Sequence, residues 1–177
     1  MTPQFWTPGR ERSGSDGDGA YGVGKIGTSP HVALHMPKMT DDEVWSFLNS
    51  DPPRPALLAT TRPDGRPHLT PVWYVADGRA ILFNTGTDTV KGLNIAHDPR
   101  VSLCVDDDAP PYAFVTIEGR ATVSDDLVEV RRWATAIGGR YMGADQAEAL
   151  GERNGVPGEL VVRVEPTKIM AVRDLVG

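Results

Sequence analysis

The sequence predicts a mainly β domain with peripheral helices, a small closed or partly closed barrel of six antiparallel strands, and three observations lead to it. Six strand-like runs are separated by Gly, Pro and Asp turn signals, with few helical stretches between them. One run, residues 112–124, alternates along its whole length. Ala113, Val115, Ile117, Gly119, Ala121 and Val123 share one face, and Phe114, Thr116, Glu118, Arg120 and Thr122 the other, which implies one core face and one solvent or subunit face. A length of 177 residues gives room for one domain with a sizeable core.

Each element has its own justification. Residues 1–38 hold 7 of the 19 glycines and 4 of the 15 prolines and show neither helical nor strand periodicity, so they are expected to form a mobile arm before a folded domain at 39–177. Thr40-Asp41-Asp42-Glu43 fits a capping box, Met39 and Val44 a hydrophobic staple, and Val44, Phe47 and Leu48 recur at helical spacing, so a short helix is predicted to end by Asp51-Pro52-Pro53. Residues 56–61, 68–75 and 80–85 then read as strands joined by turns at Pro63-Asp64-Gly65 and Asp77-Gly78, an antiparallel meander. Pro71 has no N–H for a ladder and belongs at an edge or a bulge. A helix is predicted over 88–97, stopped by Asp98-Pro99, and strands over 101–105 and 112–124 flank an acidic, proline-containing loop. Asp125 caps an amphipathic helix bearing Leu127, Val130, Ala134 and Ile137, a second helix spans about 144–153, and residues 160–164 form the last strand.

Composition excludes several functions. With 18 Lys and Arg against 24 Asp and Glu the net charge is -6, and the N-terminal 38 residues contribute +1 of it, so the folded part is acidic. Such a field disfavours phosphate backbones and anionic lipid, and neither nucleic acid nor membrane is expected as a partner. Cys104 is the single cysteine, so no intrachain disulfide can form and no Cys-x-x-Cys or metal-type cluster exists. No apolar run approaches the roughly 18 residues of a membrane span, and the N-terminus has no hydrophobic signal core. A reducing, cytoplasmic setting is expected.

The best local candidate for chemistry is Thr85-Gly86-Thr87-Asp88-Thr89-Val90-Lys91. A helix N-terminus offers N–H groups and partial positive charge, hydroxyls add hydrogen bonds, Gly86 permits close approach, and Lys91 carries a full charge, which together make an anion pocket. The other reading makes Thr87 or Asp88 an ordinary N-cap and Lys91 a solvated helix residue. Trp73 and Tyr74 serve either as barrel packing or as a shelf for a ring. His68 and His97 have no partner spacing for a metal or a triad, Cys104 reads as a buried inert thiol, and Asp106–Asp108 as a solvated loop. No Gly-x-Ser-x-Gly elbow, Walker motif or Gly-x-Gly-x-x-Gly after a strand is present, which weighs against hydrolase and Rossmann readings.

Leu58-Ala59-Thr60, then Pro63-Asp64-Gly65-Arg66-Pro67, Pro71-Val72-Trp73-Tyr74, Thr85-x3-Thr89-x-Lys91-x2-Asn94, Asp98-Pro99-Arg100-Val101, Pro110-Pro111-Tyr112 and Glu118-Gly119, in this order, resemble the pyridoxamine 5′-phosphate oxidase-like split β-barrel family, of flavin-reductase and FMN-binding type. The closest likeness is to its branch that uses the deazaflavin coenzyme F420, and it covers about residues 40–172. The resemblance implies a homodimer with the cofactor in a groove between subunits. Its phosphate end would lie at Thr85, Gly86, Thr87, Thr89 and Lys91, with Asn94 in the same motif, and its ring beside Thr70, Pro71, Val72 and Trp73. Tyr112, with Phe114, would approach from the partner chain. Relatives that bind FMN tend to carry an extra Arg beside the loop lysine, and Thr89-Val90-Lys91 has none. The implied activity is transfer of a hydride from reduced F420 to a small conjugated or heteroaromatic acceptor, and no catalytic side chain is assigned because the cofactor carries the chemistry. The alternatives are an FMN-dependent oxidase or reductase and a non-catalytic cofactor or haem carrier on the same barrel. Arg140-Tyr141-Met142-Gly143 fits either the acceptor pocket or helix capping and packing.

Overall fold

Local signals decide where the helices start. In the computed structural model, which describes residues 37–176, helix α1 (Asp41–Leu48) opens with the expected capping box: Glu43 N donates to Thr40 Oγ1 and Thr40 N to the Glu43 carboxylate. Helix α2 (Val90–His97) starts two residues later than expected. Its N-cap is Thr89 rather than Thr87 or Asp88, because only the Thr89 hydroxyl reaches back to accept from Gly92 N, at 3.1 Å. Helix α3 (Leu127–Met142) is capped by Asp126 and not Asp125, for the same reason: Asp126 Oδ1 accepts from Val128 N at 2.8 Å and Glu129 N at 3.3 Å. Helix α4 (Ala144–Asn154) follows directly and packs along α3.

Seven strands, one more than expected, form a single sheet: β1 (Ala56–Thr61), β2 (Pro67–Val72), β3 (Val75–Asp77), β4 (Ala80–Gly86), β5 (Arg100–Asp107), β6 (Ala113–Ser124) and β7 (Glu159–Val172). All pairings are antiparallel and the order is β2-β1-β5-β6-β7-β4-β3. The two edge strands, β2 and β3, are consecutive in the chain and separated only by Trp73 and Tyr74. The three Cα–Cα steps from Val72 to Val75 span at most about 11 Å, so the sheet must curl until its edges meet at this corner, which is the barrel. The expected single strand over 68–75 is broken there, and the meander is corrected accordingly: β1 pairs β2 and β3 pairs β4, but β2 and β3 do not pair. Pro71 sits on an edge strand, as a residue without an N–H requires.

The corner is held from inside. Tyr74 is fully buried and its hydroxyl donates to Leu48 O at 2.8 Å, while Arg140 donates to the same carbonyl at 2.6 Å and lies over the Tyr74 ring. The main core lies inside the barrel beneath α1, built from Val44, Leu48, Leu58, Phe83, Leu103, Ile117 and Val164 with Tyr74. A smaller cluster of Ala80, Leu82, Val130 and Val161 lies where α3 docks on the outer face of β4 and β7, so β4 is buried on both faces.

Three further expectations are corrected. The last strand extends eight residues beyond Val164, to Val172, because Pro166 is accommodated at a bulge opposite Glu118 and Gly119 instead of ending the ladder. Val123 and Leu127, assigned to core faces, are 51% and 43% exposed, since the core ends at Ala121 and resumes at Val130. Cys104 is half-buried on the outward face of β5, not sealed in the core. The expected arm lies outside the described residues except for Pro37 and Lys38, which run beside the end of β7: Arg173 N donates to Pro37 O at 3.0 Å and Met39 N to Ala171 O at 3.2 Å.

Candidate cofactor site

The turn that joins β4 to α2 is tied together by its own hydroxyls. Thr85 Oγ1 and Thr89 Oγ1 are 2.8 Å apart, Thr89 Oγ1 also donates to Gly86 O at 2.9 Å, and Thr89 N donates to the same carbonyl at 3.2 Å. Thr85 is buried, so its hydroxyl shapes the turn from within, whereas Thr87 is exposed beyond it. Gly92 allows α2 to press against Gly86 O: a Cβ there would approach that oxygen closer than 3.0 Å. Lys91 is half-buried and makes no ion pair with a described residue. The Asp88 and Glu159 carboxylates lie beside Gly86, and burial raises the Glu159 carboxyl above its ordinary value although the Lys91 charge pulls it down.

Lys91 shares a cavity of about 240 Å³ with Pro71, Val72 and Trp73. Asn84 of β4 lines it too, and α3 and α4 contribute Ala134, Ile137, Gly138, Leu150 and Asn154 to its wall. Thus three of the four residues assigned to the ring and the lysine assigned to the phosphate, 18 or more positions apart in sequence, line one space. Trp73 is 42% exposed and stacks on Tyr141, with ring centroids 4.9 Å apart and planes within 2°. Tyr141 is fixed in turn by donating to Arg54 O at 3.0 Å, which makes a flat, rigid wall. Of the Arg140–Gly143 stretch, Arg140 and Tyr141 therefore pack and brace, and Gly143 is the junction of α3 and α4.

Other predicted site residues lie elsewhere. Asn94 is buried and its amide donates to Thr60 Oγ1 at 2.9 Å, bracing α2 against β1. Thr70 is half-buried on β2 opposite Leu58. Tyr112, 37% exposed and with φ +59°, lines a different cavity with Phe47, Asp107 and Arg173. The sequence reading missed Asn84, whose Oδ1 is buried without a hydrogen-bond partner among the described residues. A lone amide at the end of an apolar strand was its available signal; the contribution of α3 and α4 had none, because only their docking creates it.

A cavity lined by a lysine and an asparagine that lack, among the described residues, an ion pair and an Oδ1 hydrogen-bond partner respectively, with a flat aromatic wall, fits an anionic, ring-bearing ligand such as a flavin or deazaflavin phosphate. Among the described residues no group of three or more His, Cys, Asp or Glu could hold a metal ion, and no helix is long and apolar enough to cross a membrane.

A sequence model of the pyridoxamine 5′-phosphate oxidase family matches residues 40–173. The chain belongs to this family. Among solved structures, the pyridoxamine 5′-phosphate oxidase fold recurs in the conserved hypothetical protein Rv2991 from Mycobacterium tuberculosis, 28% identical with TM-score 0.68, covering 77% of this chain and 86% of that one. A protein described as an F420 reductase is 27% identical with TM-score 0.56, covering 70% of this chain and 93% of that one. An FAD-binding protein from Mesorhizobium loti is 20% identical with TM-score 0.58, covering 77% and 94%, a likeness of fold alone.

Proposed function

We propose that this member of the pyridoxamine 5′-phosphate oxidase family is a cytoplasmic, F420-dependent oxidoreductase that reduces a small conjugated or heteroaromatic acceptor. The observation that carries the reading is the single cavity lined by Lys91 and by Pro71, Val72 and Trp73. Lys91 would neutralise the phosphate end, and Trp73, backed by Tyr141, would set the plane of the ring. Helices α3 and α4 would keep water from that space. When bound, the deazaflavin supplies a hydride from its own ring carbon, so this chain needs only to bind, orient and exclude. The 27% identity to an F420 reductase and the lack of an Arg beside Lys91 favour the deazaflavin over FMN.

A homodimer completes the proposal. Pro71, Leu57, Cys104, Thr116 and Met170 lie in register across the outward faces of β2, β1, β5, β6 and β7. Leu57 and Met170 are 40% and 51% exposed, and nearby Leu69 is 62% exposed, an apolar strip suited to a second copy. Tyr112 would then reach the groove of the partner.

Titration with F420 and with FMN, followed by absorbance and fluorescence, tests the reading. Lys91→Ala should lose a charge-assisted contact of about 1.5–3 kcal/mol, roughly tenfold or more in Kd, without unfolding. Tight FMN binding with none of F420 overturns the cofactor assignment, and tight F420 binding without turnover over a broad acceptor panel favours the carrier alternative. A mixed dimer of Lys91→Ala and Tyr112→Ala chains should regain one intact site, and no regained site refutes the shared groove.

A further inference from the structure

Asn84 stands out among the polar groups of the cavity. Its Nδ2 donates to Val130 O at 3.3 Å, and because a carbonyl only accepts, this contact fixes which way the amide is turned. Oδ1 is left buried with no partner among the described residues, in a residue that lines the same space as Lys91 and Trp73. A buried acceptor left unmade is costly, so Oδ1 is open to a donor from outside the chain, and of the described side chains with such an unpartnered atom Asn84 is the one that lines this cavity.

The cavity size limits what that donor belongs to. About 240 Å³ is below the roughly 300–1,000 Å³ of pockets that enclose a whole drug-sized ligand, so this space takes only a part of a flavin-sized molecule. Asn84 lies two residues before Gly86, about 7 Å along β4 from the turn that leads to Lys91. An ionised phosphate has no hydrogen to give Oδ1, so the anionic end cannot satisfy it. What remains between an anion at Lys91 and a ring at Trp73 is a linker, and a linker with hydroxyls carries the required donor.

Resting on the proposed function, we propose that Asn84 is a specificity-determining residue that accepts a hydrogen bond at Oδ1 from a hydroxyl of the polyol linker between the ring and phosphate ends of the cofactor. The assignment holds for a flavin or a deazaflavin, since both carry such a linker. It also sorts ligands: a ring without a hydroxylated side chain gains nothing from Asn84.

The test uses the full chain and four probes: F420, its unphosphorylated deazariboflavin core, riboflavin, and lumiflavin, which has the ring but no polyol. Asn84→Ala removes the acceptor without filling the space. It should weaken the three polyol-bearing probes roughly three- to tenfold relative to wild type and leave lumiflavin unchanged. Asn84→Asp keeps an acceptor oxygen and should restore binding of the unphosphorylated deazariboflavin, and the ligand-free melting temperature shows that both variants fold. Unchanged affinities in a folded Asn84→Ala, or an equal loss for lumiflavin, overturn the assignment and leave the proposed function standing. A wild type that binds none of the four overturns both.

Discussion

Replacing Gly92 by alanine tests whether the β4–α2 turn is as tightly built as its hydrogen bonds imply. At the third position of an open helix, alanine is favoured over glycine by about 1 kcal/mol. In α2 the new Cβ would lie closer than 3.0 Å to Gly86 O, 3.1 Å from Thr89 Oγ1 and 3.4 Å from Gly86 C. None of these is the far end of a flexible side chain. Gly86 O accepts from both Thr89 N and Thr89 Oγ1, and Thr89 is the cap of α2, so the carbonyl cannot retreat without loosening the helix start. Overpacking costs about 1–3 kcal/mol, and the pinned backbone argues for the upper end. Subtracting the helix-propensity gain leaves about 2 kcal/mol of destabilisation, or a melting temperature lower by roughly 6–8 °C in a domain of this size. Thermal unfolding of ligand-free Gly92→Ala, with F420 affinity measured below the transition, reads both the stability and the displacement of Lys91. An unchanged or higher melting temperature refutes the reasoning, since it would mean the helix gain prevails and the turn yields freely.

Two further outcomes follow from buried polar groups. Asn94→Ala leaves Thr60 Oγ1 without its partner in a site only 3% exposed, and should cost about 1–3 kcal/mol in urea unfolding. Adding Thr60→Val should recover part of that loss, and simple additivity of the two changes would contradict the pairing. For Glu159, burial raises the folded carboxyl above the ordinary 4.5, so the protonated form is the better accommodated one. Stability linked to this group is then fully present below pH 4.5 and lost as pH rises through the raised folded value. Glu159→Gln should melt higher than wild type at pH 7, by a margin that shrinks as pH falls below 4.5, and a margin independent of pH would remove the burial argument.

What could be read from the sequence was what the chain encodes locally. The capping box at Thr40 needs only four consecutive residues, and Gly78, at φ +60° between Asp77 and Ala80, announces the β3–β4 hairpin through the one residue type that takes that turn without strain. The N-caps were misplaced by one or two residues because Thr87, Asp88 and Thr89, or Asp125 and Asp126, are chemically interchangeable until the backbone turns. The break at Trp73-Tyr74 left no local sign, since both residues favour strands; it exists because Tyr74 gains a buried site against Leu48 and Arg140. In the candidate site, Lys91 and Trp73 were legible as residue types, and Asn94 was legible as part of a motif although its amide is committed to Thr60.

The corner that closes the barrel also explains why a site belongs there. At Trp73 and Tyr74 the chain passes from one sheet edge to the other, and β2 and β3 have no ladder between them across the gap. Tyr74 fills the inside of that seam, while Trp73 is 42% exposed and stacks on Tyr141. β4 passes nearby with half-buried Asn84 lining the same space, because its neighbours Phe83 and Thr85 face inward. A seam of this kind supplies an aromatic wall, an unmet acceptor and, one turn later, a lysine, without any of them being drawn from the core that stabilises the barrel. Substitutions at Asn84 and Lys91 should therefore change what the protein binds far more than whether it folds, while those at Tyr74, Asn94 and Gly92 should do the reverse.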